Sequence, residues 1–379
     1  NHTVKVVIYT VDLFPGRERL MPWRTILELG QYLLTKDIEV EILSVSKERK
    51  NNSYTYGNIC ITPINNSLPE IVNYVNQNDF DVFLLQVKWR DGLKNLNVLS
   101  KLNCKKIAYF DGGVYRLRNA VKLFISAGFR LARPYLLEAL TPKYLIIRKL
   151  KNNGFSQIVT LSSLTADLAI SNGFKATTTI YPGNDTATPI KEHRQPEEKY
   201  FLYAGSPAPA RGSLQLLKAF DKFADSSHDA KLVLLMRTDA GSDFTLFEKE
   251  LNNLKNRTRI ELICQNLAHS ELKRFFSGAR SVILPFLVIP SEIPLTFFEV
   301  LSTGTPVITF PNGGTTDYLR SSLAISNKMT TSSLANTMKR LWNDDALYQK
   351  LSFNAISIMK KHPTWQKTGE DWLKVINHS

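Results

Sequence analysis

Short apolar runs alternate with helical patterns along the chain. In the first half, these runs stand at residues 4–10, 40–45, 81–86, 107–110 and 157–161. A helical pattern with Ile26, Leu29 and Leu33 on one face separates the first two runs, and Ser162 and Gly173 are suited to begin and end another helix. Apolar runs of this length, separated by helices, are typical of parallel strands covered on both faces. The pattern therefore predicts an α/β domain.

The alternation begins again after a polar break. Residues 181–199 are rich in Pro, Gly, Asn and charged side chains, the composition of a surface linker. Further apolar runs follow at 200–204, 232–236, 260–263, 282–285 and 307–310. We predict a first domain of residues 1–185, a second of residues 196–360 and a terminal helix in residues 361–379 that crosses back to the first. Two parallel-sheet domains in tandem leave a cleft in which the carboxyl ends of their strands can meet a ligand.

Composition agrees with two folded domains. The chain has 379 residues, of which 43% are hydrophobic, enough to bury two cores. No apolar run approaches the roughly 18 to 20 residues of a membrane-spanning helix, and the first residues predict a strand rather than a leader. We therefore expect a soluble, cytoplasmic protein. Cys60, Cys104 and Cys264 are odd in number and far apart, which predicts reduced thiols.

The positive charge is concentrated in one segment. The net charge is +14, and residues 114–151 contain nine Lys or Arg against a single acid, Glu138. Written as one helix, this segment has an apolar side with Leu117, Val121, Phe124, Gly128 and Leu131, and a basic side with Arg118, Lys122, Arg130 and Arg133. Such a helix suits the surface of an anionic membrane, at the inner face of which the protein would be peripheral. The alternative is a core-packed helix with a solvated basic face.

The segment from Pro290 to Ile308 carries the most specific chemistry. Pro294 suits the first turn of a helix and Gly304 its end, so residues 295–303 are predicted to be helical. Free N–H groups and the positive end of the dipole at its N-terminus would favour a diphosphate. Glu299, one turn into the helix, could accept hydrogen bonds from sugar or ribose hydroxyls, and Glu292 lies on the loop before it.

This segment resembles the paired-glutamate signature of retaining GT-B glycosyltransferases, in particular glycosyltransferase family four. The resemblance implies that Glu299 binds the ribose of the donor and that Glu292 faces its sugar. It also implies that backbone amides hold the phosphates, here those of Leu295, Thr296 and Phe297. Six residues separate the two glutamates, whereas seven is the usual number in the family.

A second element of the family is matched at the start of the C-terminal half. Tyr203-Ala-Gly205 followed by Arg211-Gly-Ser resembles its strand, glycine loop and cation, which implies that Gly205 approaches the donor and Arg211 neutralises the leaving diphosphate. Relatives often have another cation directly after the glycine, where this chain has Ser206. Either Arg237 takes its place or phosphate is bound more weakly. Leu267 falls in the loop expected beside the nucleotide base.

The N-terminal half resembles the family less closely. Gly16, in the turn Phe14-Pro15-Gly16, is a candidate for approach to the diphosphate. Asp111 follows the fourth predicted strand, where many relatives have a histidine. It could contact the donor sugar or the acceptor, or cap a turn.

The resemblance implies a GT-B fold of two Rossmann-like α/β domains and transfer of a sugar from a nucleotide-sugar donor to an acceptor, with retention and without a metal or other cofactor. The basic segment predicts that the acceptor is lipid-linked or a glycan at the membrane surface. Asp79 and Asp81 stand before their strand rather than at its far end, and the six histidines lack ligand spacing, so no metal site is predicted.

Two rival functions remain from the sequence. A catalytically inactive GT-B subunit that binds or regulates is suggested by the short glutamate spacing and by Ser206. A nucleic-acid-binding protein is suggested by the net charge alone. Because no nucleic-acid-binding module and no basic stretch interleaved with aromatic residues is present, we predict that nucleic acid is not a partner.

Overall fold

The computed structural model describes residues 3–45, 52–89, 96–185, 199–237, 244–265, 267–289 and 291–378. Among these residues, the strands form one eight-stranded and one six-stranded sheet. The predicted boundary at 186–195 lies outside the described residues. Each sheet carries apolar clusters on both of its faces, as the continuous apolar runs require.

The first sheet has the order β3-β4-β2-β1-β5-β6-β7-β8. Its strands pair in parallel, apart from the antiparallel pair of β3 with β4 at one edge. The strands are β1 (Lys5–Val11), β2 (Glu39–Val45), β3 (Tyr54–Tyr56), β4 (Ile59–Ile64), β5 (Val82–Val87), β6 (Lys105–Phe110), β7 (Phe155–Thr160) and β8 (Thr177–Thr179).

The second sheet has the order β11-β10-β9-β12-β13-β14, and all its strands pair in parallel. Its strands are β9 (Phe201–Gly205), β10 (Leu232–Met236), β11 (Ile260–Ile263), β12 (Ser281–Leu284), β13 (Val307–Thr309) and β14 (Leu323–Ile325). The strand order reverses between β9 and β12, as it does between β1 and β5 in the first sheet. At such a point the connecting loops diverge and leave a crevice at the carboxyl ends of the strands.

The helices cover the faces of the two sheets. They are α1 (Trp23–Leu34), α2 (Leu68–Gln77), α3 (Leu117–Ala127), α4 (Phe129–Leu140), α5 (Lys143–Asn152), α6 (Ser163–Ser171), α7 (Ser213–Ala224), α8 (Thr245–Asn252), α9 (His269–Gly278), α10 (Leu295–Leu301), α11 (Gly313–Leu319), α12 (Thr331–Asn343), α13 (Asp345–Lys361) and α14 (Trp365–Asn377). No helix within the described ranges is both long and apolar enough to cross a bilayer.

The prediction of one helix through the basic segment is wrong. The segment forms three helices, α3, α4 and α5. Gly128 ends α3 with a φ of 85°, and α4 begins at the next residue. This left-handed value of φ turns the chain, and glycine adopts it without a steric penalty. The apolar side of α3 therefore does not continue along the axis of one long helix.

The other predicted helices are close to the observed ones. Ser162 caps α6 by accepting a hydrogen bond from the amide of Thr165 at 3.3 Å, as predicted. Helix α10 begins at Leu295, directly after Pro294, and ends at Leu301, two residues earlier than predicted. Gly304 lies just beyond it with a φ of 74°.

The last helix returns to the first sheet. Trp372, Val375 and Ile376 of α14 belong to the apolar cluster beneath α1. Gly369 allows the two helices to approach closely, because a Cβ atom there would lie 2.3 Å from the Tyr32 ring. The terminal helix thus rests on the first sheet although the preceding helices cover the second.

The two segments of chain that pass between the sheets, one near Asn184 and one near Pro363, lie side by side. The amide of Asn184 donates to Pro363 O at 3.2 Å, and Nε2 of buried His362 donates to Pro182 O at 2.8 Å. Nδ1 of the same ring accepts from the Tyr318 hydroxyl at 2.7 Å. Burial lowers the pKa of His362 to about 4, so the ring is neutral and keeps this donor and acceptor arrangement at ordinary pH.

Candidate active site

A cavity of about 600 Å³ lies at the carboxyl ends of both sheets, where their strand orders reverse. The first sheet contributes residues 19–23, which follow β1 and end at the first residue of α1, together with Lys88 after β5 and Asp111 after β6. The second sheet contributes residues that follow β9, β10, β11 and β12, together with the start of α10. The volume is in the range of cavities that hold a small molecule.

Arg211 and Arg237 supply positive charge to one wall. Arg211 lies in a 3-10 turn after β9, with its Cζ 5.5 Å from the centre of the Phe286 ring. Arg237 follows β10, and its amide donates to Gly205 O at 3.0 Å. Burial raises the pKa of the Tyr203 hydroxyl to about 12, while Arg211 and Arg237 both act to lower it. The two guanidinium groups therefore lie near the same buried phenol and line the same cavity.

The glycine loop has a specific conformation. Gly205 ends β9 with a φ of 155°, and a Cβ atom there would lie 3.7 Å from Nη1 of Arg211. Ser206, at the position where relatives often have a cation, shapes the loop: its carbonyl accepts from the Tyr203 hydroxyl at 2.6 Å, and its hydroxyl accepts from the amide of Ala208 at 3.2 Å. Arg237, unlike Ser206, lines the cavity.

Helix α10 forms a second wall. Leu295 and Thr296, its first two residues, line the cavity together with Glu299. The first amides of a helix lack partners within the helix, so the cavity meets the end of α10 where donors are available. Phe297, the third predicted residue, has a fully buried side chain beneath the wall, and its amide donates to Pro294 O at 3.2 Å.

Glu299 is a half-buried carboxylate among charged neighbours. Burial raises its pKa above the ordinary value, while His269, Arg24 and Lys273 act in the opposite direction. His269 begins α9 and also lines the cavity. The arrangement places an acceptor of hydrogen bonds beside an imidazole at this wall.

Glu292 lies outside the cavity. Its side chain is 4% exposed and accepts hydrogen bonds from the hydroxyls of Ser162 and Thr165, the latter at 2.9 Å and 3.0 Å to its two oxygens. Both hydroxyls belong to the N-terminal half of the chain, at the start of α6. The amide of Glu292 donates to Asp111 O at 3.0 Å. Glu292 therefore ties the loop before α10 to the first domain.

The short spacing between the glutamates has a structural counterpart. The residue eight positions before Glu299, where the usual family spacing would place the first glutamate, is Ser291. Ser291 lines the cavity, and its hydroxyl donates to Asp111 O at 3.4 Å. Because one residue fewer separates the two glutamates, Glu292 stands directly after Ser291. Its side chain contacts Ser162 and Thr165 of the first domain.

The N-terminal candidates have different placements. Asp111 is 2% exposed and lines the cavity, close to the loop that carries Ser291 and Glu292. Gly16 is exposed with a φ of 97° and lies outside the cavity. Residues 19–23, including Arg19 and Trp23, form the wall instead. Nothing lies within 4 Å of a Cβ atom placed on Gly16, so no close approach explains the glycine.

The sequence interpretation missed several polar or aromatic residues that line the cavity, among them Arg19, Trp23, Lys88 and His269. A signal existed for Lys88, because it directly follows the apolar run of β5 and strand ends of this kind carry ligand-binding residues. Arg19, in a loop of ordinary composition, and Trp23, at the start of α1, are recognisable only from the folded chain.

Among the described residues, no group of three or more His, Cys, Asp or Glu side chains is placed to hold a metal ion. Activity without a metal stays a prediction.

The burial of Glu292 predicts a pH-dependent stability. Burial raises its pKa from 4.5 to about 7, although the hydrogen bonds from Ser162 and Thr165 oppose the shift. The folded protein therefore holds this proton more tightly than the unfolded chain, and stability falls as the pH rises from 4.5 through 7, by about 3 kcal/mol in all. We expect Glu292→Gln to gain stability relative to the parent over that pH range. Thermal unfolding of both proteins from pH 4.5 to 8 measures it, and parallel profiles would contradict the assignment.

Comparison with known proteins gives a family match to part of the chain and likenesses to solved structures over nearly all of it. The family described as glycosyl transferases group 1 matches residues 185–357. A search of curated proteins gives no match. Among solved structures, sucrose-phosphate synthase from Thermosynechococcus elongatus is 15% identical, with a TM-score of 0.74 over 98% of this chain and 98% of that one.

Two further solved structures are similar over almost their whole length. Anabaena HepE in complex with UDP-glucose is 12% identical, with a TM-score of 0.67 over 98% of this chain and 99% of that one. WaaG, a glycosyltransferase involved in lipopolysaccharide biosynthesis, is 12% identical, with a TM-score of 0.64 over 99% of this chain and 100% of that one. The likeness to these structures gives the fold, which is GT-B, and the match to glycosyl transferases group 1 covers residues 185–357.

Proposed function

We propose that this protein transfers a sugar from a nucleotide-sugar donor, held in the cavity between the two sheets, to a glycan or lipid-linked acceptor. One observation carries the proposal: Arg211 and Glu299, distant in sequence, line the same cavity at the start of α10. The match of residues 185–357 to glycosyl transferases group 1 supports it. Two similar structures of Anabaena HepE, one in complex with UDP-glucose and one with UDP, support a nucleotide donor.

The diphosphate of the donor would lie between Arg211, Arg237 and the first amides of α10. A guanidinium pairs two phosphate oxygens in one plane, and two such groups offset much of the negative charge of a diphosphate. Lys88, on the opposite domain, adds a positive charge to the cavity wall. This charge comes from the protein itself, which is the basis for proposing activity without a metal.

The nucleoside would lie toward Glu299. A carboxylate accepts hydrogen bonds from two adjacent ribose hydroxyls, and partial burial strengthens such bonds because less water competes for the same oxygens. Leu267 lies at the same cavity and offers an apolar contact for the base.

The sugar would lie toward Asp111 and Ser291, because these residues line the cavity on the side of the first domain. We assign Glu292 a positioning role, since its carboxylate binds Ser162 and Thr165 and its amide binds Asp111 O. It would act on the sugar through the loop that holds Ser291.

The reaction we propose proceeds with retention at the anomeric carbon. The bond between this carbon and the diphosphate oxygen breaks, the acceptor oxygen forms the new bond on the same face, and the acceptor proton passes to the departing diphosphate. Negative charge develops on the diphosphate, so groups that already point at it lower the barrier without reorganisation. Arg211 is the principal such group.

An inactive binding subunit is the second candidate, and one observation favours it: Ser291 stands at the cavity where the family pattern has a glutamate. The two functions differ in donor turnover. Release of free sugar or transfer from a radiolabelled nucleotide-sugar would exclude the inactive subunit.

Donor binding is tested by thermal shift with UDP, GDP and ADP. A ligand that binds only the folded protein raises the melting temperature, so one of these nucleotides should raise it for the parent protein. Glu299→Ala should weaken binding of that nucleotide about 10-fold to 100-fold, the usual cost of losing hydrogen bonds to a charged group. Exposed Glu248 of α8 provides the matched control, Glu248→Ala, which should bind like the parent. Equal affinities in all three proteins would refute the assignment of Glu299.

A further inference from the structure

Exposed apolar side chains are concentrated on one part of the surface. Within the described residues, thirteen large hydrophobic side chains are exposed, and nine of them lie between Leu117 and Tyr144. Ile125 is 77% exposed and Phe129 is 61% exposed. Isolated exposed apolar residues are ordinary, but a group of this size marks a surface that contacts something apolar.

The other side of these helices is already used by the fold. Leu123 of α3 and Ala132 of α4 are fully buried and belong to the core cluster of the second sheet. Nζ of Lys122 donates to Met329 O at 3.0 Å, which fixes α3 to the C-terminal half. The inner side of the α3–α4 hairpin is thus packed against the core. The exposed apolar residues on its outer side are not used in this packing.

Six of the exposed apolar residues of the two helices form one surface, which we call the α3–α4 face. On α3 the spacing of Leu117, Val121, Phe124 and Ile125 places them on one side of the helix. On α4, Phe129 follows the Gly128 turn, and its ring centre lies 6.3 Å from that of Phe124. The α3–α4 face comprises Leu117, Val121, Phe124, Ile125, Phe129 and Leu140, all of them exposed.

Basic side chains border this face. Arg118, Arg130 and Arg133 are exposed on the same two helices, and exposed Arg116 directly precedes α3. Glu138 is the single acid of residues 114–151, against nine Lys or Arg. Apolar side chains bordered by arginine match the layered chemistry of a bilayer surface, in which acyl chains lie beneath a plane of phosphates.

We infer that the α3–α4 face docks on an anionic membrane surface. Ile125 and Phe129, on either side of the turn at Gly128, enter the boundary between headgroups and acyl chains, and the bordering arginines bind lipid phosphates. The inference does not rest on the proposed enzymatic function, because the α3–α4 face lies outside the residues that line the large cavity.

The experiment is flotation of the full chain with vesicles. We expect the protein to float with vesicles of 70% phosphatidylcholine and 30% phosphatidylglycerol at low salt, and to bind pure phosphatidylcholine far less. Raising the salt should release it, because phosphate contacts are screened. Arg130→Gln with Arg133→Gln should weaken partitioning about 30-fold, the effect expected for two basic residues near an anionic surface. Ile125→Glu with Phe129→Glu should weaken it at least about tenfold.

Matched controls come from elsewhere on the surface. Phe353→Glu changes a side chain that is 63% exposed on α13, and Lys339→Gln with Lys350→Gln removes two exposed charges. Both controls should float like the parent, and all variants should keep its melting temperature and nucleotide-induced thermal shift. Absence of flotation with the anionic vesicles, or equal flotation of face and control variants, would overturn the inference. The inference would also be overturned if the protein did not float and instead formed a dimer that the double substitution Ile125→Glu and Phe129→Glu dissociated. The face would then bind a second copy of the chain.

Discussion

Arg211→Ala is expected to lower the turnover number for sugar transfer by a factor of about 100 or more. The guanidinium lies in the cavity at the end of β9, near Arg237 and opposite the start of α10. Its charge stabilises the diphosphate most when the bond to the sugar is breaking, so its loss should act on turnover more than on donor affinity. The measurement is the steady-state rate with a radiolabelled nucleotide-sugar, alongside the melting temperature of each protein.

Two further variants make this result specific. Arg211→Lys keeps the charge but not the planar pair of donors, so its rate should fall between those of the parent and Arg211→Ala. Arg320→Ala removes an arginine whose side chain is 68% exposed and pairs with Asp317, and its rate should equal that of the parent. Near-normal transfer by Arg211→Ala, with a folded protein, would refute the assignment of Arg211.

Much of the fold follows from local sequence. Each predicted apolar run coincides with an observed strand, and its ends lie within two residues of the observed ends. This agreement arises because buried parallel strands require continuous apolar residues. The strands that were not predicted, β3, β4, β8 and β14, lie at or near sheet edges, where polar residues are tolerated. β8 consists of three threonines, for example, and no apolar run marks it.

The C-terminal part of the candidate site was also accessible from sequence. Gly205, Arg211, Arg237, Leu267 and Glu299 all line the cavity. Gly205 ends an apolar strand and Arg211, Arg237 and Leu267 follow one, so the strand pattern places these four residues at the same edge of one sheet. Glu299 lies one turn into α10, and its place was indicated by the resemblance to the paired-glutamate signature.

The contribution of the first domain was predicted only in part: Asp111, after β6, lines the cavity, but the cavity residues that follow β1 were not predicted. Which of its loop residues reach the cavity depends on how the two sheets face each other, and no local pattern encodes that relation. Gly16 was predicted and lies outside, whereas Arg19 and Trp23 lie in the wall. Glu292 shows the same limit: its direction is set by Ser162 and Thr165, more than a hundred residues away in sequence.

The turn that carries Arg211 depends on the residue that follows it, and Gly212→Ala is expected to damage both stability and activity. Gly212 has a φ of 75°, and a Cβ atom there would lie 1.8 Å from Pro285 O. The left-handed conformation costs a residue with a side chain about 1–2 kcal/mol, and forcing the backbones apart adds about 1–3 kcal/mol. The loop that must move is tied to this turn, because the amides of Leu287 and Val288 both donate to Ala210 O at 3.0 Å.

Gly173→Ala separates the two causes of this loss. Gly173 also has a left-handed φ, of 89°, but nothing lies within 4 Å of a Cβ atom placed there. Its substitution should therefore cost only the conformational part, and leave transfer unchanged. Denaturant unfolding of both variants should show that Gly212→Ala is the less stable by about 1–3 kcal/mol. The folded fraction of Gly212→Ala should also transfer sugar more slowly than the parent, because Arg211 is displaced. Equal losses of stability in the two variants would mean that the contact with Pro285 does not constrain the turn, and the position of Arg211 would then need another explanation.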